Sequence, residues 1–225
     1  MSKKSIAIDG PSGAGKSTLA RQIAKALGFL YVDTGAIYRT LALAALRRGI
    51  DPANSADVLE VLHGIKIDLG YGADGLQHMY LDGADVTEEI RTPAVSAGAS
   101  AVSAIPAVRT FLMDMQRDLA ASRDVVMDGR DIGTVVLPGA DVKIFLTATA
   151  EERARRRYEE LLLRGTEVDY ETVLRDIVAR DERDTSRAAA PLRQAEDAVA
   201  VDTTGKSQEE SFDLLLNLIR RQLAQ

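Results

Sequence analysis

A glycine-rich run near the N-terminus carries the clearest chemistry in this chain. Residues 10–18 read Gly-Pro-Ser-Gly-Ala-Gly-Lys-Ser-Thr and match the phosphate-binding pattern GxxxxGK[ST]. Glycines let backbone N–H groups close around a phosphate, and the following helix directs its positive N-terminal end at the anion. We expect Lys16 to reach the β- and γ-phosphates of a nucleotide and the Ser17 hydroxyl to bind Mg²⁺. The predicted nucleotide site comprises Gly10, Pro11, Ser12, Gly13, Ala14, Gly15, Lys16, Ser17 and Thr18.

The surroundings of this motif favour a true phosphate site. The apolar run Ser5–Asp9 leads into it, and Lys16–Leu27 carries apolar residues at helical spacing after it. A chance match would be a glycine-rich strand–helix turn with an unrelated lysine, which this context disfavours. Asp128 ends a second apolar run, where its carboxylate would lie at the ligand-binding edge of a parallel sheet. We interpret Asp128 as a Walker-B-like acid, with an ordinary strand-ending aspartate as the alternative.

Arginines are concentrated in the second half of the chain, where ten fall between Arg153 and Arg193. A planar guanidinium binds phosphate oxygens through a two-pronged fork that lysine cannot copy. The spacing predicts two helices that each present several arginines on one face. One set is Arg153, Arg156 and Arg157, and the other is Arg180, Arg183 and Arg187.

The alternative for such arginines is a solvated helix surface paired with glutamates. For Arg155, Arg156 and Arg164 we give that alternative equal weight, since Glu151, Glu152, Glu159 and Glu160 lie at pairing distance along the chain. Arg187 is different, because it leaves its predicted helix beside Pro191. We favour a function for Arg187.

Composition excludes several classes of protein. The 225 residues include no cysteine, so disulfides, cysteine-bound zinc and thiol catalysis are excluded. The net charge of −6 disfavours nucleic-acid binding, which depends on neutralising phosphates. The chain has no 18-residue apolar run, and its first residues lack the pattern of a signal peptide. We expect a cytoplasmic protein that binds neither membrane nor nucleic acid, and a monomer, because no apolar stripe is left over once the helices pack.

The order of predicted elements indicates an α/β fold. Strand, glycine-rich turn, helix and strand follow one another closely, which is typical of a P-loop NTPase-type doubly wound parallel sheet. Ile65–Tyr71 and Leu76–Asp82 flank the turn Gly72–Gly75 and predict an inserted antiparallel lobe. We assign residues 1–50, 93–149 and 191–225 to the core, 51–92 to the lobe and 150–190 to a helical, arginine-rich lid. Thr149 and Glu152 predict a capping box at the start of the lid, and Ser207 and Glu210 predict another before the last helix.

Three classes of P-loop protein compete for this chain. A GTPase would need a guanine-reading NKxD loop, which is absent, and a motor usually needs a longer chain. A kinase of a small phosphorylated acceptor needs arginines for two sets of phosphates and a lid that excludes water. The chain offers both features. A regulatory nucleotide switch with slow turnover stays open as a rival.

Four blocks of sequence resemble one family, bacterial cytidylate kinase in its long form. They are residues 10–18, residues 33–39 (Asp-Thr-Gly-Ala-Ile-Tyr-Arg), residues 128–134 (Asp-Gly-Arg-Asp-Ile-Gly-Thr) and residues 180–192. The resemblance runs from the first strand to the last and includes an insert of roughly forty residues. Thr34 stands where many members carry serine, so the hydroxyl is kept.

The resemblance implies transfer of the γ-phosphoryl of MgATP to CMP or dCMP in pyrimidine nucleotide metabolism. It assigns the acceptor phosphate to Arg39, Arg130 and Arg187, and the wall beside it to Thr34, Gly35 and Tyr38. It assigns binding of the base to Ser100, Arg109 and Asp131, and binding of the sugar to Asp184. Arg153 and Arg157 are assigned to ATP with the glycine-rich loop. The predicted catalytic residues are Lys16, Asp128, Arg130 and Arg187.

Asp131 and Arg109 also have a rationale in the chemistry of cytosine. The base donates from its N4 amine and accepts at N3 and O2, so a carboxylate beside a guanidinium complements that edge. The alternatives are a turn aspartate bonded to its own backbone and a plain helix-surface arginine. UMP, AMP and a non-nucleotide remain alternative acceptors. His63 and His78 have no cluster of metal-ligand neighbours in the sequence, so we expect no metal site there.

Overall fold

The computed structural model describes residues 3–73, 75–163 and 165–224. The chain forms two compact units. The first combines Met1–Leu30 with Ser122–Gln225, and the second is the continuous segment Tyr31–Ala121. Arg164 and Asp74, the latter within the predicted turn Gly72–Gly75, lie outside the described residues.

A parallel sheet forms the centre of the first unit. Its strands are β1 (Ser5–Asp9), β6 (Val125–Gly129), β7 (Val142–Thr147) and β8 (Val199–Asp202), in the order β6-β1-β7-β8, whereas β2 (Leu30–Asp33) begins in this unit and continues into the second. The N–H of Leu30, the last residue of the unit's first segment, donates to the carbonyl of Asp124 at 2.8 Å. Strands β1, β6 and β7 are buried on both faces, which explains their continuous apolar sequence. The predicted α/β class with a parallel sheet is confirmed.

The described residues of this unit also form the helices α1 (Lys16–Leu27), α6 (Ala150–Leu163), α7 (Tyr170–Ser186) and α8 (Gln208–Leu223). The capping box at Ser207 and Glu210 is confirmed, with both reciprocal hydrogen bonds present. A short π-helix, Ile132–Val136, follows β6. Such turns are rare and are often found at functional sites.

Helices α6 and α7 pack against each other through a small apolar cluster. Ala154, Val173 and Ile177 are buried there, and Tyr158 meets Tyr170 edge to face with ring centroids 6.1 Å apart. The predicted capping box at Thr149 forms only in part. The Thr149 hydroxyl accepts from the Glu152 N–H at 3.3 Å, but the Glu152 carboxylate accepts from Arg155 and Arg156 instead.

The second unit combines helices with a small antiparallel sheet. Its elements are α2 (Thr34–Arg47), α3 (Ser55–His63), β3 (Ile67–Tyr71), β4 (Gln77–Leu81), β5 (Ala84–Asp85), a 3₁₀ turn (Glu89–Arg91), α4 (Pro93–Val102) and α5 (Pro106–Ser122). Strands β3 and β4 form the predicted hairpin. A second turn, Asp82–Gly83, joins β4 to β5. Both of its residues have positive φ, as a two-residue turn of type I′ requires.

One apolar core holds the second unit together. Its fully buried large side chains are Ile37, Leu41, Leu62, Met79, Ile90 and Leu112. The antiparallel interpretation of residues 51–92 was incomplete, because α3 precedes the hairpin and packs its apolar face into this core. Helix α2 begins at Thr34, because the Asp33 carboxylate caps it by accepting from the Ala36 N–H.

No single helix within residues 3–73, 75–163 and 165–224 is long and apolar enough to cross a membrane. Helices α4 and α5 reach that length and composition only as a pair, and they are bent by 101° at the break between them.

Candidate active site

The glycine-rich loop connects the end of β1 to the start of α1 in a conformation that depends on its glycines. A Cβ on Gly10 would lie 1.9 Å from the carbonyl oxygen of Leu146 on β7, so no side chain fits there. Gly15 has a φ of 85° and occupies the N-cap of α1 without a side-chain cap. The first N–H groups of α1 therefore receive no side-chain acceptor from their own cap, as a helix that binds an anion requires.

Lys16 lies in the first turn of α1 and is buried. Its ammonium donates to the carbonyl of Pro11 at 2.7 Å, so the side chain folds back over the loop. Burial lowers the pKa of Lys16 well below its ordinary value, and the positive charges of Arg130 and Arg180 add to this, while Asp128 opposes it. A polyphosphate beside the ammonium would favour its charged form again.

Ser17 and Asp128 are joined across the sheet edge. The Ser17 hydroxyl donates to the Asp128 carboxylate at 2.8 Å, at the carboxyl end of β6. A hydroxyl and a carboxylate are oxygen ligands of the kind that Mg²⁺ accepts, usually one or two from protein beside phosphate oxygens and water. These two residues therefore fit a metal ion brought by a nucleotide. The described part of the chain has no cluster of three or more histidine, aspartate or glutamate side chains that would hold a metal by itself.

A group of arginines and carboxylates follows β6 in the first unit. Arg130 donates from Nε to Asp184 at 2.8 Å, and the guanidinium of Arg187 lies 3.6 Å from the Asp131 carboxylate. Arg187 directly follows α7, as predicted, and donates from Nε to the carbonyl of Ala190. Ala190 has a φ of 49°, an uncommon conformation for a residue with a side chain. The structure thus gathers Arg130, Asp131, Asp184 and Arg187, all predicted from the sequence.

Charge holds Asp184 in its ionised form. Burial opposes ionisation, but the adjacent Arg130, with Arg180 and Arg187, outweighs it and keeps the pKa of Asp184 below its ordinary value. The predicted shared face of Arg180, Arg183 and Arg187 is wrong. Arg183 is exposed and donates to the carbonyl of Ala179 in its own helix, and Arg187 lies beyond the helix.

Asp9 belongs to this region, and the sequence interpretation did not identify it. It ends β1, immediately before the glycine-rich loop, and its two carboxylate oxygens accept from the N–H groups of Ile132 and Gly133 at 2.8 and 2.7 Å. Burial raises the pKa of Asp9 to about 6, although the two N–H groups oppose the shift. The available signal was an acidic residue at the end of a buried apolar strand.

The arginines of α6 take different positions from one another. Arg153 is buried and donates to the carbonyls of Ala148 and Ser12 at 2.9 and 3.0 Å and to the Asp181 carboxylate at 2.6 Å. Arg153 thus connects the glycine-rich loop to α7. Arg157 instead pairs with Glu160 at 2.8 Å.

The sequence favoured neither a surface role nor a site role for Arg156. In the structure its guanidinium lies near the glycine-rich loop. It donates to the carbonyl of Thr203 at 2.9 Å, and its guanidinium would be 3.9 Å from a Cβ on Gly15. Arg155 is an exposed arginine held by Glu152 and Glu159 on its own helix, as the surface alternative expected.

Within the second unit, the start of α2 carries an ordered arginine. Arg39 donates to the Asp33 carboxylate at 2.7 Å. Burial opposes ionisation of Asp33, but Arg39 outweighs it and holds the pKa of Asp33 below its ordinary value. Gln77 fixes the backbone here, because its side chain accepts from the Asp33 N–H at 2.8 Å and donates to the Asp33 carbonyl at 3.1 Å. Thr34 and Gly35 form the adjoining first turn of α2.

Arg109 lies inside the second unit and not on its surface. It is 5% exposed, donates to the Ser103 carbonyl at 3.2 Å and lies over the Tyr38 ring, 5.6 Å from the centroid. The alternative of a plain helix-surface arginine is therefore wrong. Ser100, half-buried in α4, accepts at its carbonyl from the Ser103 hydroxyl. A buried guanidinium held by a carbonyl and an aromatic ring is well oriented to donate to a planar ligand.

Comparisons with known proteins identify a family. The family model for cytidylate kinase matches residues 6–221. A cytidylate kinase from Carboxydothermus hydrogenoformans is 53% identical over 216 residues, which cover 96% of this chain and 97% of that protein. Cytidylate kinases from Pelotomaculum thermopropionicum and Anoxybacillus flavithermus are 52% and 49% identical, covering 94% and 99% of this chain and 93% and 99% of theirs.

A solved structure supports the fold alone. The crystal structure of an uncharacterized protein from Eubacterium ventriosum superposes with a TM-score of 0.56 at 14% identity, covering 97% of this chain and 99% of the other.

Proposed function

Because this chain belongs to the cytidylate kinase family, we propose that it transfers the γ-phosphoryl group of ATP to CMP or dCMP. The products are ADP and CDP or dCDP. The observation that carries the proposal in the structure is the glycine-rich loop, with Lys16 and the Ser17–Asp128 pair, in the same unit as the arginine and carboxylate group after β6.

The glycine-rich loop would hold the phosphates of ATP. The uncapped N–H groups at the start of α1 suit the β-phosphate, and Lys16 would exchange its bond to Pro11 for the β- and γ-phosphate oxygens. A kinase of this family uses ATP with a divalent metal ion, for which we propose Mg²⁺ held by Ser17, with Asp128 accepting from the Ser17 hydroxyl or from a metal-bound water. When bound, the metal neutralises charge on the β- and γ-phosphates.

The reaction itself requires positioning and positive charge, and no base. The acceptor's own phosphate oxygen forms the new bond to the γ-phosphorus, and the bond from that phosphorus to the bridging oxygen of ADP breaks. This oxygen is already ionised, so no proton has to be removed from it. Arg130 and Arg187, with Arg39 from the second unit, are proposed to bind the acceptor phosphate, because guanidinium groups match its oxygens and stabilise the transferring group.

The remaining predicted residues would recognise the nucleoside. Asp184 is ionised and suited to accept hydrogen bonds from sugar hydroxyls. Asp131 is proposed to accept from the cytosine N4 amine, and Arg109 to donate to its N3 and O2, with Ser100 as a further base contact. Thr34, Gly35 and Tyr38 are proposed to line the wall beside the acceptor phosphate. Arg153 is buried and bonded to the loop and to α7, so we propose that it supports the ATP site and does not touch ATP.

We also propose a cytoplasmic monomer in pyrimidine nucleotide metabolism, with residues 51–92 on the acceptor side and 150–190 as a lid. The net charge of −6 supports the absence of a nucleic-acid partner.

The direct test measures ADP release from ATP and Mg²⁺ with CMP, dCMP, UMP, AMP or no acceptor. We expect kcat/KM to be highest for CMP or dCMP, and lower for UMP by at least about tenfold, because one missing complementary group costs about 1–3 kcal/mol. A preference for AMP would assign a different kinase activity. ADP release that no acceptor accelerates would favour the regulatory switch.

A further inference from the structure

Asp9 is a buried carboxylate that the proposed reaction does not use. It lies at the carboxyl end of β1, opposite Gly129 of β6 in the parallel register, and 5% of it is exposed. Both of its oxygens are engaged, one by the N–H of Ile132 and the other by the N–H of Gly133. The Asp9 carboxylate therefore links the end of β1 to the segment that follows β6.

The two N–H groups that Asp9 binds begin the π-helix Ile132–Val136. The first N–H groups of any helical segment have no partner inside it and usually receive one from the side chain of the preceding N-cap residue. Asp131 occupies that N-cap position, and aspartate is among the preferred capping residues. Its side chain nevertheless makes no capping hydrogen bond to this segment. Asp9 performs that task from a strand 123 residues away in sequence.

The Asp131 side chain consequently has a different environment. Its carboxylate lies 3.6 Å from the guanidinium of Arg187, in the group that also contains Arg130 and Asp184. In a chain without Asp9, the Asp131 carboxylate would be placed to accept from the N–H of Gly133, as in an ordinary aspartate N-cap. The side chain would then turn away from Arg187.

We propose that Asp9 is a positioning residue for base selection: its carboxylate caps the segment Ile132–Val136 and so leaves the Asp131 side chain to read the acceptor's base. This inference rests on the proposed function, because Asp131 is proposed there to accept from the cytosine amine. It adds a residue outside the proposed binding set, acting through Asp131.

An ionised carboxylate is the group this position needs, although burial opposes its charge. The two N–H groups point at different oxygens of Asp9, and asparagine would place an NH₂ donor at one of those positions. The charged groups around Asp9 come from three elements: Lys16 of α1, Asp131 before the π-helix, and Lys143 of β7, whose stem packs on Gly133. Lys16 favours ionisation of Asp9, and Asp131 opposes it.

The test compares Asp9→Asn with Asp141→Asn. Asp141 is a matched control, because its carboxylate also accepts a backbone N–H of β1, that of Ser5 at 2.9 Å, but at the opposite end of the strand. For the full-length enzyme and both variants, kcat/KM is measured for CMP and for UMP on the same samples. The ratio of the two values does not depend on how much of the sample is folded.

We expect Asp9→Asn to lower kcat/KM for CMP and to reduce the CMP-to-UMP ratio by at least about tenfold, as Asp131 leaves the base. Asp141→Asn should leave the ratio unchanged. A ratio in Asp9→Asn that stays within about twofold of wild type would overturn the proposal, since a merely structural role predicts no change in selectivity.

A second measurement needs no substrate and separates this proposal from the proposed function. Amide hydrogen exchange, followed by NMR without nucleotide, should be faster at Ile132 in Asp9→Ala, which leaves no acceptor, and unchanged in Asp141→Ala, because an N-cap side chain such as Asp131 accepts from the second or third N–H and not the first. Unchanged protection of Ile132 overturns the role of Asp9 even if CMP is a good substrate. Loss of protection in an enzyme that does not use CMP contradicts the proposed function alone.

If Asp9→Asn fails to fold, an NMR titration of the wild-type protein tests the proposal. The amide resonances of Ile132 and Gly133 should move together as pH falls through the pKa of Asp9, which burial raises. Independent movement of the two amides would overturn the proposal, because one carboxylate binds both.

Discussion

Lys16 and Lys143 are both buried lysines whose ammonium groups donate to a proline carbonyl. Lys16 donates to Pro11 in the glycine-rich loop, whereas Lys143 donates to Pro138 and to both oxygens of the Asp197 carboxylate. Burial, with the positive charges of Arg130 and Arg180, lowers the pKa of Lys16, which is unfavourable for a lysine that serves only the fold. This contrast supports a chemical role for Lys16 and a structural role for Lys143.

The two lysines should respond in opposite ways to replacement by methionine, which keeps the stem and removes the charge. Lys16→Met should lower kcat at least about 100-fold, because the transferring phosphoryl group loses a positive partner. Its free energy of unfolding should change by less than about 1 kcal/mol. Lys143→Met should keep kcat and lose about 1–3 kcal/mol of stability with its buried bonds. Steady-state kinetics and urea denaturation measure both, and wild-type turnover in Lys16→Met would contradict the phosphate-site assignment.

Base recognition makes a separate prediction for Asp131 and Arg109. UMP presents O4 and N3–H where CMP presents the N4 amine and N3. An ionised Asp131 would therefore face O4 of UMP, and two hydrogen-bond acceptors repel each other. Asp131→Asn offers an NH₂ group that can donate to O4, and should lower kcat/KM for CMP while narrowing the gap to UMP by roughly ten- to hundredfold. Arg109→Met should raise KM for CMP and change KM for ATP much less. An unchanged CMP-to-UMP ratio in both variants would show that these residues do not read the base.

Helices α6 and α7 are joined to the glycine-rich loop through Arg153. Three acceptors converge on its guanidinium, and a lysine has one compact ammonium that cannot span them. Arg153→Lys should therefore raise KM for ATP by about tenfold and speed amide exchange in α7. The matched control is Arg155→Lys on the same helix, an exposed arginine with only glutamate partners, which should change neither quantity.

Hydrogen exchange with mass spectrometry also tests the lid. ATP and CMP together should slow exchange across residues 150–190 in the wild-type protein, and less so in Arg153→Lys. Equal protection with and without ligands would identify a fixed structural element in place of a lid.

At the scale of helices and strands, the sequence could predict those features that residues close in the chain determine. Helix α1, the hairpin of β3 and β4, and the Ser207 cap follow from spacing and turn residues within a few positions, and they were predictable. The choice among Arg153, Arg156 and Arg157 was not, because all three fall within one helical face and only the packing of α6 on the loop and α7 decides which is buried. The role of Asp9 depends on N–H groups more than 120 residues away, and local patterns cannot carry such information.

For the whole molecule, two buried carboxylates of the first unit should change the free energy of unfolding with pH in opposite directions. The pKa of Asp184 is held below 3.8, so its ionised form contributes stability that is present above that value and is lost as pH falls through the lower pKa of the folded state. The pKa of Asp9 is raised, so in the folded protein Asp9 binds a proton more readily than in the unfolded chain. Its contribution to stability therefore falls as pH rises from about 3.8 to about 6.

Asp184→Asn makes the first of these responses measurable. At about pH 7 the variant should be less stable than wild type by about 1–3 kcal/mol, because Arg130 keeps only a neutral partner. The difference should shrink as pH falls below about 4, where Asp184 becomes protonated in the wild-type protein too. Denaturation curves of both proteins across this range decide it. A difference that does not change with pH would mean that the Arg130–Asp184 pair does not act through charge.

The first unit is built from both ends of the chain, and this has a consequence for synthesis on the ribosome. Strand β1 emerges first, but its sheet partners β6 and β7 follow about 120 residues later, with Ser5 paired to Val125. At about 5–20 residues per second, the phosphate-binding loop waits on the order of ten seconds without the strands that shape it. The segment Tyr31–Ala121 is complete just before β6 (Val125–Gly129) is synthesised. We therefore expect the loop that is translated first to be among the last parts of the protein to become native.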